Sequence, residues 1–130
     1  MSKYQTLIKL ATGAALAGGP LRNYQVGAAA LRKDGTFVAA CNGCIHSDRV
    51  PSKVPYVHAE ARLARKLDVG AIVCVVRLSK AGEYKLAFPC PRCFALLKRR
   101  GVKRIYFSTE GGMAFLLLSK NLFYTPYNAK

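Results

Sequence analysis

The chain of 130 residues carries 21 Lys and Arg against 6 Asp and Glu, a formal net charge of +15. A hydrophobic fraction of 52% excludes a disordered chain, and no apolar run approaches the ~18 residues of a membrane-spanning helix. The length suits one domain over residues 1–130 with a core that needs no disulfides, while the charge asks for an anionic substrate or partner.

Residues 3–17 place Leu7, Leu10, Ala11, Ala14 and Ala15 at helical spacing, with Ser2 as cap and Gly18-Gly19-Pro20 as stop. Gln25 to Arg32 and Thr36 to Ala40 are apolar-rich runs around Asp34-Gly35, a signal for a two-residue hairpin. Residues 43–56, with Gly43, Pro51 and Pro55, read as a loop. From Val57 to Leu67 the pattern is helical, with Ala59, Leu63 and Leu67 on one side and Arg62, Arg65 and Lys66 on the other. Ala71 to Leu78 is a nearly continuous apolar, β-branched run, as in a strand buried on both faces. A turn at Ala81-Gly82 leads to a short strand ending near Phe88. Pro91 to Arg100 then reads as a helix, with proline in its first turn and Gly101 just past its end. Val102 to Ser108 is a strand, and Met113 to Leu118 is read as another, with a helix as the alternative. The order predicts a three-layer α/β/α sandwich around a five-stranded mixed sheet.

Five cysteines, an odd number, include the pairs Cys41-x-x-Cys44 and Cys90-x-x-Cys93. Lys9 interrupts the apolar N-terminal stretch, so no secretory signal is expected, and thiol or metal chemistry in a cytoplasmic, reducing compartment is the better reading. Cys74, inside the Ala71–Val76 run, is expected to be a small core residue.

Two helix starts carry the chemistry. His58-Ala59-Glu60 opens one and Pro89-Cys90-Pro91-Arg92-Cys93 opens the other. One imidazole and two sulfurs make a three-ligand Zn²⁺ site whose fourth position stays open to water, the arrangement of a catalytic metal. Unpaired amides at a helix N-terminus favour anionic ligand atoms there. Glu60 stands close enough to His58 to handle protons without being a ligand. A rival site would join Cys41 and Cys44 to Cys90 and Cys93 as a structural Cys₄ zinc, but it leaves His58 and Glu60 without a role. A second zinc on Cys41, Cys44 and His46 is a further alternative, short of a fourth ligand.

H-x-E followed by P-C-x-x-C resembles the zinc-dependent cytidine/deoxycytidylate deaminase superfamily, over roughly residues 22–110. Tyr24-Gln25-Val26-Gly27-Ala28 is similar to the family's first strand, Asp34-Gly35 to its hairpin, and Cys41-Asn42-Gly43 to the strand end that holds the sugar. The resemblance implies that His58, Cys90 and Cys93 bind Zn²⁺ and that Glu60 carries a proton from water to the base. It further implies that water adds to the amino-bearing ring carbon and ammonia leaves. Ala59 would contact the base through its amide, Asn42 the sugar, and the backbone around Phe88 the amino group, with Tyr24 in the pocket wall.

The branch is read from departures. Free-cytidine deaminases usually carry Cys where His58 stands, and a Glu soon after the sugar-binding Asn, where this chain has Gly43 and Cys44. The return from Lys98 to Tyr106 is similar to the deoxycytidylate, tRNA-adenosine and AID/APOBEC branches, in which the last strands run parallel. Phe88 departs from the Glu or Ser of the latter two branches. Arg92, Lys98, Arg99, Arg100, Lys103 and Arg104 are six cations in thirteen residues with no acid among them. That cluster and the net charge point to single-stranded DNA or RNA as the carrier of the target cytosine. The alternatives are a free cytidine nucleotide such as dCMP or CMP, adenosine in RNA, and a zinc-bearing nucleic-acid-binding module without chemistry. No membrane partner is expected, and the apolar segment Met113 to Phe123 suits either a core or a homo-oligomer interface.

Overall fold

The computed structural model describes residues 2–17, 24–41, 63–118 and 122–127, with backbone alone for residues 17, 24, 41 and 122–127. Helix α1 (Lys3–Ala17) matches its predicted span. Its start is a reciprocal capping box: the Gln5 amide donates to Ser2 Oγ at 3.1 Å and the Ser2 amide to Gln5 Oε1 at 3.0 Å. Strands β1 (Tyr24–Leu31) and β2 (Phe37–Cys41) pair antiparallel, Leu31 facing Phe37 and Gly27 facing Cys41. Their loop has three residues rather than two. Arg32 N–H reaches the Thr36 carbonyl at 2.8 Å, and Gly35 N–H closes a turn on the Arg32 carbonyl at 2.9 Å. An Asp-Gly pair serves this turn with its adjoining bulge as well as the tighter one, so the dipeptide alone did not choose between them.

Leu63 and Ala64 are helical, and the chain turns out of that helix through Lys66 N–H to the Leu63 carbonyl (2.8 Å) and Leu67 N–H to the Ala64 carbonyl (3.3 Å). The earlier part of the predicted helix lies outside the described residues. Next come β3 (Ile72–Ser79), a two-residue β4 (Tyr84–Lys85), helix α2 (Pro91–Arg99), β5 (Arg104–Thr109), β6 (Gly112–Leu117) and β7 (Leu122–Tyr127). The sheet has seven strands rather than five, in the order β2-β1-β3-β5-β6-β7, with β4 paired to β3. Among the described strands only β3 and β5 run parallel, and α2 lies in the connection between them. β6 is a strand, not the alternative helix, and β7, for which no element was expected, lies at the sheet edge, where its Pro126 is tolerated.

The expectation that the last strands run parallel is corrected. β5 and β6 pair antiparallel from Arg104 facing Leu117 to Thr109 facing Gly112. The link is only Glu110 and Gly111, with Thr109 Oγ1 donating to the Gly112 carbonyl at 2.7 Å. A link this short can return a strand only antiparallel, since a parallel return needs a crossover of a dozen or more residues.

Alternation along the strands builds a core on each face. Ala28, Ala30, Val73, Val75, Ile105, Phe107, Ala114 and Leu116 face one way, packed with Leu63, Ala64, Leu67, Leu97 and Val102. Ala29, Cys74, Val76, Leu78, Tyr106 and Met113 face the other, against Leu7, Ala11 and Ala15 of α1. Helices on both faces of a mixed sheet make the expected sandwich. Cys74 is fully buried, and desolvation pushes its thiol pKa far up, as suits a core residue. In the segment from Met113, the side chains of Met113, Ala114, Leu116 and Leu118 are buried and so belong to the core.

Two local features hold the helices in place. A methyl group on Gly27 would overlap the Ala11 carbonyl oxygen and the Ala15 amide, so α1 rests backbone to backbone on β1. At the end of α2, Gly101 adopts φ +84° and gives its N–H to Lys98 O (3.0 Å), while Val102 N–H bonds Leu97 O (3.2 Å). That is a Schellman closure, with Leu97 and Val102 supplying the apolar contact. On the α1 face, the Arg104 guanidinium lies over the rings of Tyr4, Tyr106 and Phe115 and donates to Tyr106 Oη at 3.0 Å. Burial works against its charge, but the bonds to Tyr106 and Tyr4 outweigh this and raise its pKa.

Candidate active site

The strand registers bring the candidate segments to one end of the sheet. Parallel β3 and β5 share their C-terminal ends, and the antiparallel register sets Tyr24, at the start of β1, beside Ser79 at the end of β3. Cys41 closes β2 towards that same end, and Asn42 follows it in the chain. Open α/β sheets bind ligands outside the carboxyl ends of their strands.

The sheet splits where the site begins. β3 and β5 are paired from Ile72–Arg104 to Val75–Phe107, and beyond that β4 takes the β3 edge, pairing Arg77 with Lys85 and Leu78 with Tyr84. Ser108, fully buried, fills the fork. Its Oγ accepts the Arg77 N–H at 3.0 Å and donates to the Lys85 carbonyl at 2.7 Å. Its own carbonyl accepts the Ala87 N–H at 3.0 Å. One hydroxyl and one carbonyl therefore fix segment 85–88, which leads into Cys90. Ser108 was not singled out from sequence; the available signal was a hydroxyl ending the apolar run Ile105-Tyr106-Phe107.

Segment 86–90 is extended without a ladder of its own, so the predicted strand towards Phe88 is limited to Tyr84–Lys85. Phe88 packs its ring edge-on to Phe107 at 5.1 Å between centroids and tilted against Phe94 at 5.5 Å. These contacts anchor the approach to α2 on the α2 face of the sheet.

Cys90 is the N-cap of α2, with φ −62° and ψ 161°, and Pro91 supplies the first helical residue. Proline fits there because its missing N–H would have no partner inside the helix. The Cys90 carbonyl accepts the Phe94 N–H at 2.8 Å, and Cys93 stands in the same first turn, buried. Neither Cys90 nor Cys93 forms a disulfide. Two sulfurs in the first turn of a helix, neither tied up in a disulfide, fit two corners of a tetrahedral zinc site. Arg92, exposed, is the cation of the sequence cluster that stays at this end.

His58, Ala59, Glu60 and Asn42 lie outside the described residues, as do Cys44 and His46 of the alternative metal sites; for Tyr24 and Cys41 the backbone alone is described. Among the described residues no group of three or more His, Cys, Asp or Glu stands together, so Cys90 and Cys93 are the described part of the expected ligand set. The helical residues Leu63 and Ala64, with Leu67 after them, pack into the same core as Leu97 of α2. Both helices therefore cover one face of the sheet.

Residues 1–109 match the family described as the cytidine and deoxycytidylate deaminase zinc-binding region. The chain belongs to this family. Zn²⁺ is its cofactor, and deamination of a cytidine-type substrate is its reaction class. No curated protein sequence matches the chain. Among solved structures, it is similar to a cytidine deaminase from Burkholderia pseudomallei, with 22% identity and TM-score 0.65 over 94% of this chain and 97% of that one. Cytidine deaminases from Mycobacterium leprae (23% identity, TM-score 0.55, 87% and 92% covered) and Mycobacterium tuberculosis (26%, 0.51, 82% and 85%) share the fold. Among the described residues no helix is long and apolar enough to cross a membrane.

Proposed function

We propose that this deaminase domain, residues 1–130, hydrolyses the amino group from the cytosine base of a free nucleoside or nucleotide, giving the uracil product and ammonia. The observation that supports a small substrate, a free nucleoside before a nucleotide, is the antiparallel β5–β6 hairpin, in place of the parallel return expected of the deoxycytidylate, tRNA-adenosine and AID/APOBEC branches together. The cytidine deaminases of similar fold agree with it. Cysteines kept as metal ligands suit a reducing compartment, which supports the reading of a cytoplasmic enzyme.

His58, Cys90 and Cys93 would hold the zinc, which when bound supplies a water activated at neutral pH. Glu60 would pass one proton of the attacking water to the ring nitrogen and the second to the amino group, which leaves as ammonia while the oxygen stays as the carbonyl. The Ala59 amide and the backbone near Phe88 would orient the base, Asn42 the sugar, and Tyr24 would close the pocket wall. The chain's own contribution is to fix these groups before substrate arrives, and the Ser108 stitch and the Schellman-closed α2 support that role.

A second reading, in which the target cytosine sits in single-stranded DNA or RNA, is favoured by Arg92 beside the cysteines and by the net charge. One panel separates the two: cytidine, CMP, dCMP, single-stranded DNA, single-stranded RNA and adenosine, scored for deaminated product. Turnover of the free cytidine compounds is expected. Turnover confined to the polymers would replace this reading with the second. Glu60→Gln is expected to lower kcat at least 10³-fold with zinc retained, whereas an inactive parent protein would point to a binding module.

A further inference from the structure

Most of the sequence's cationic cluster lies away from the candidate pocket. Lys98, Arg99 and Arg100 end α2, whose nine residues rise roughly 13 Å from the Cys90 end. Lys103 precedes β5 at the N-terminal end of that strand, bonding its amide to the Ala71 carbonyl at 2.9 Å. Of the six cations, Arg104 is engaged by aromatic rings on the α1 face and Arg92 stays at the cysteine end.

The topology adds two cations from distant parts of the chain. The Lys33 amide bonds Asp68 Oδ1 at 2.9 Å, and Gly70 N–H bonds the Gly101 carbonyl at 2.8 Å. These two bonds tie the β1–β2 hairpin, the segment after Arg65 and the end of α2 to a single end of the sheet. Lys33, Arg65, Lys98, Arg99, Arg100 and Lys103 are all exposed there. The acids of this end are turned to local duties: Asp68 accepts from Lys33 N–H, and Asp34 accepts from the Thr36 amide at 3.0 Å and the Thr36 hydroxyl at 2.6 Å.

We propose that this basic end is a second binding surface, opposite the pocket, for the phosphate backbone of a nucleic acid. Cations contributed by two helix ends, a hairpin and a strand start give successive contacts for successive phosphates, and arginine adds paired donors to each. A lipid surface fits less well. The exposed large apolar side chains at this end are Val69 (73%) and Phe37 (37%), on separate segments, rather than one continuous apolar helix face. An acidic protein partner would be expected to meet a cluster of aromatic anchors, whereas this end offers Phe37 of the hairpin, 37% exposed, among six exposed cations.

The test is fluorescence anisotropy of labelled single-stranded DNA, single-stranded RNA and duplex DNA against the full chain at several salt concentrations. The triple variant Arg99→Gln/Arg100→Gln/Lys103→Gln is compared with Lys3→Gln/Lys9→Gln/Lys80→Gln, which removes equal charge elsewhere. The basic-end variant is expected to lose at least tenfold in affinity and to reduce the slope of log K against log salt by about 2 for single strands. The control should stay within about threefold, and both variants should deaminate the free substrate at the parental rate. Equal losses in the two variants would overturn the proposal, because net charge alone would then account for binding. Binding to phosphatidylserine vesicles or polyglutamate with no oligonucleotide binding would overturn it as well. Because the readout is binding, its failure is distinct from failure of the proposed deamination.

Discussion

Ser108 joins three strands through a single side chain, which makes it the residue on which the cysteine segment most depends. Replacing it with alanine leaves the Arg77 amide and the Lys85 carbonyl without their hydroxyl partner in a buried setting, at a cost of about 1–3 kcal/mol. Ser108→Ala is expected to lower kcat under conditions where the protein remains folded, and to weaken zinc retention during dialysis. Undiminished kcat and zinc content beside a lowered melting temperature would reduce Ser108 to a structural role. Cys90→Ser and Cys93→Ser should each remove bound zinc and turnover together, measured by metal analysis and product release; a chelator should do so reversibly. At the other end, the hydrogen bonds from the Thr36 side chain and then its backbone hold the Asp34 carboxyl below its usual pKa. The hairpin stability this adds is complete above the ordinary carboxylate range and fades as pH falls through the lowered native value. The difference in melting temperature between the parent and Asp34→Ala should therefore shrink in acid.

At the scale of elements, legibility followed the strength of local chemistry. Helix α1 could be read to its boundaries because a capping residue, an apolar stripe of Leu7, Ala11 and Ala15, and a Gly-Gly-Pro stop all agree. Helix α2 and strand β3 were legible for similar reasons: proline and glycine bracket the one, and unbroken β-branched residues mark the other. Strand β7 was not legible, since Pro126 is compatible with a strand only at a sheet edge and edge position is a property of the whole fold. The direction of β6 was misread because sequence similarity ahead of it does not measure the two-residue link that decides it. Gly27 looked like part of a family strand, and its physical role appeared only with α1 in place. Gly27→Ala should push α1 off the sheet, cost about 3 kcal/mol or more, and lower Tm by roughly 10 °C. A loss near 1 °C would mean that the helix can slide.

Across the whole molecule, the parallel pairing of β3 and β5 gives the sheet two chemically different ends. The carboxyl ends gather the cysteines, Phe88 and the strand that leads to Asn42; the amino ends gather the exposed cations. Composition announced the charge and the motif announced the metal, and linear sequence set the two side by side within Cys90 to Arg104. The helix between them separates them by its own length. The zinc chemistry was thus legible as residues, whereas the placement of charge relative to it required the topology.

The packing of Tyr4 against Tyr106, with ring centroids 5.3 Å apart, has a bearing on synthesis of the chain. The partner of this N-terminal residue is translated about 100 residues later, an interval of about 5–20 s at 5–20 residues per second. Throughout that interval α1 has its apolar stripe formed but lacks the strands that complete its cover, and the nascent chain is open to chaperones or to self-association. Ribosome-bound chains arrested before residue 104 should therefore expose α1 to proteolysis, and chains arrested well beyond residue 109 should protect it.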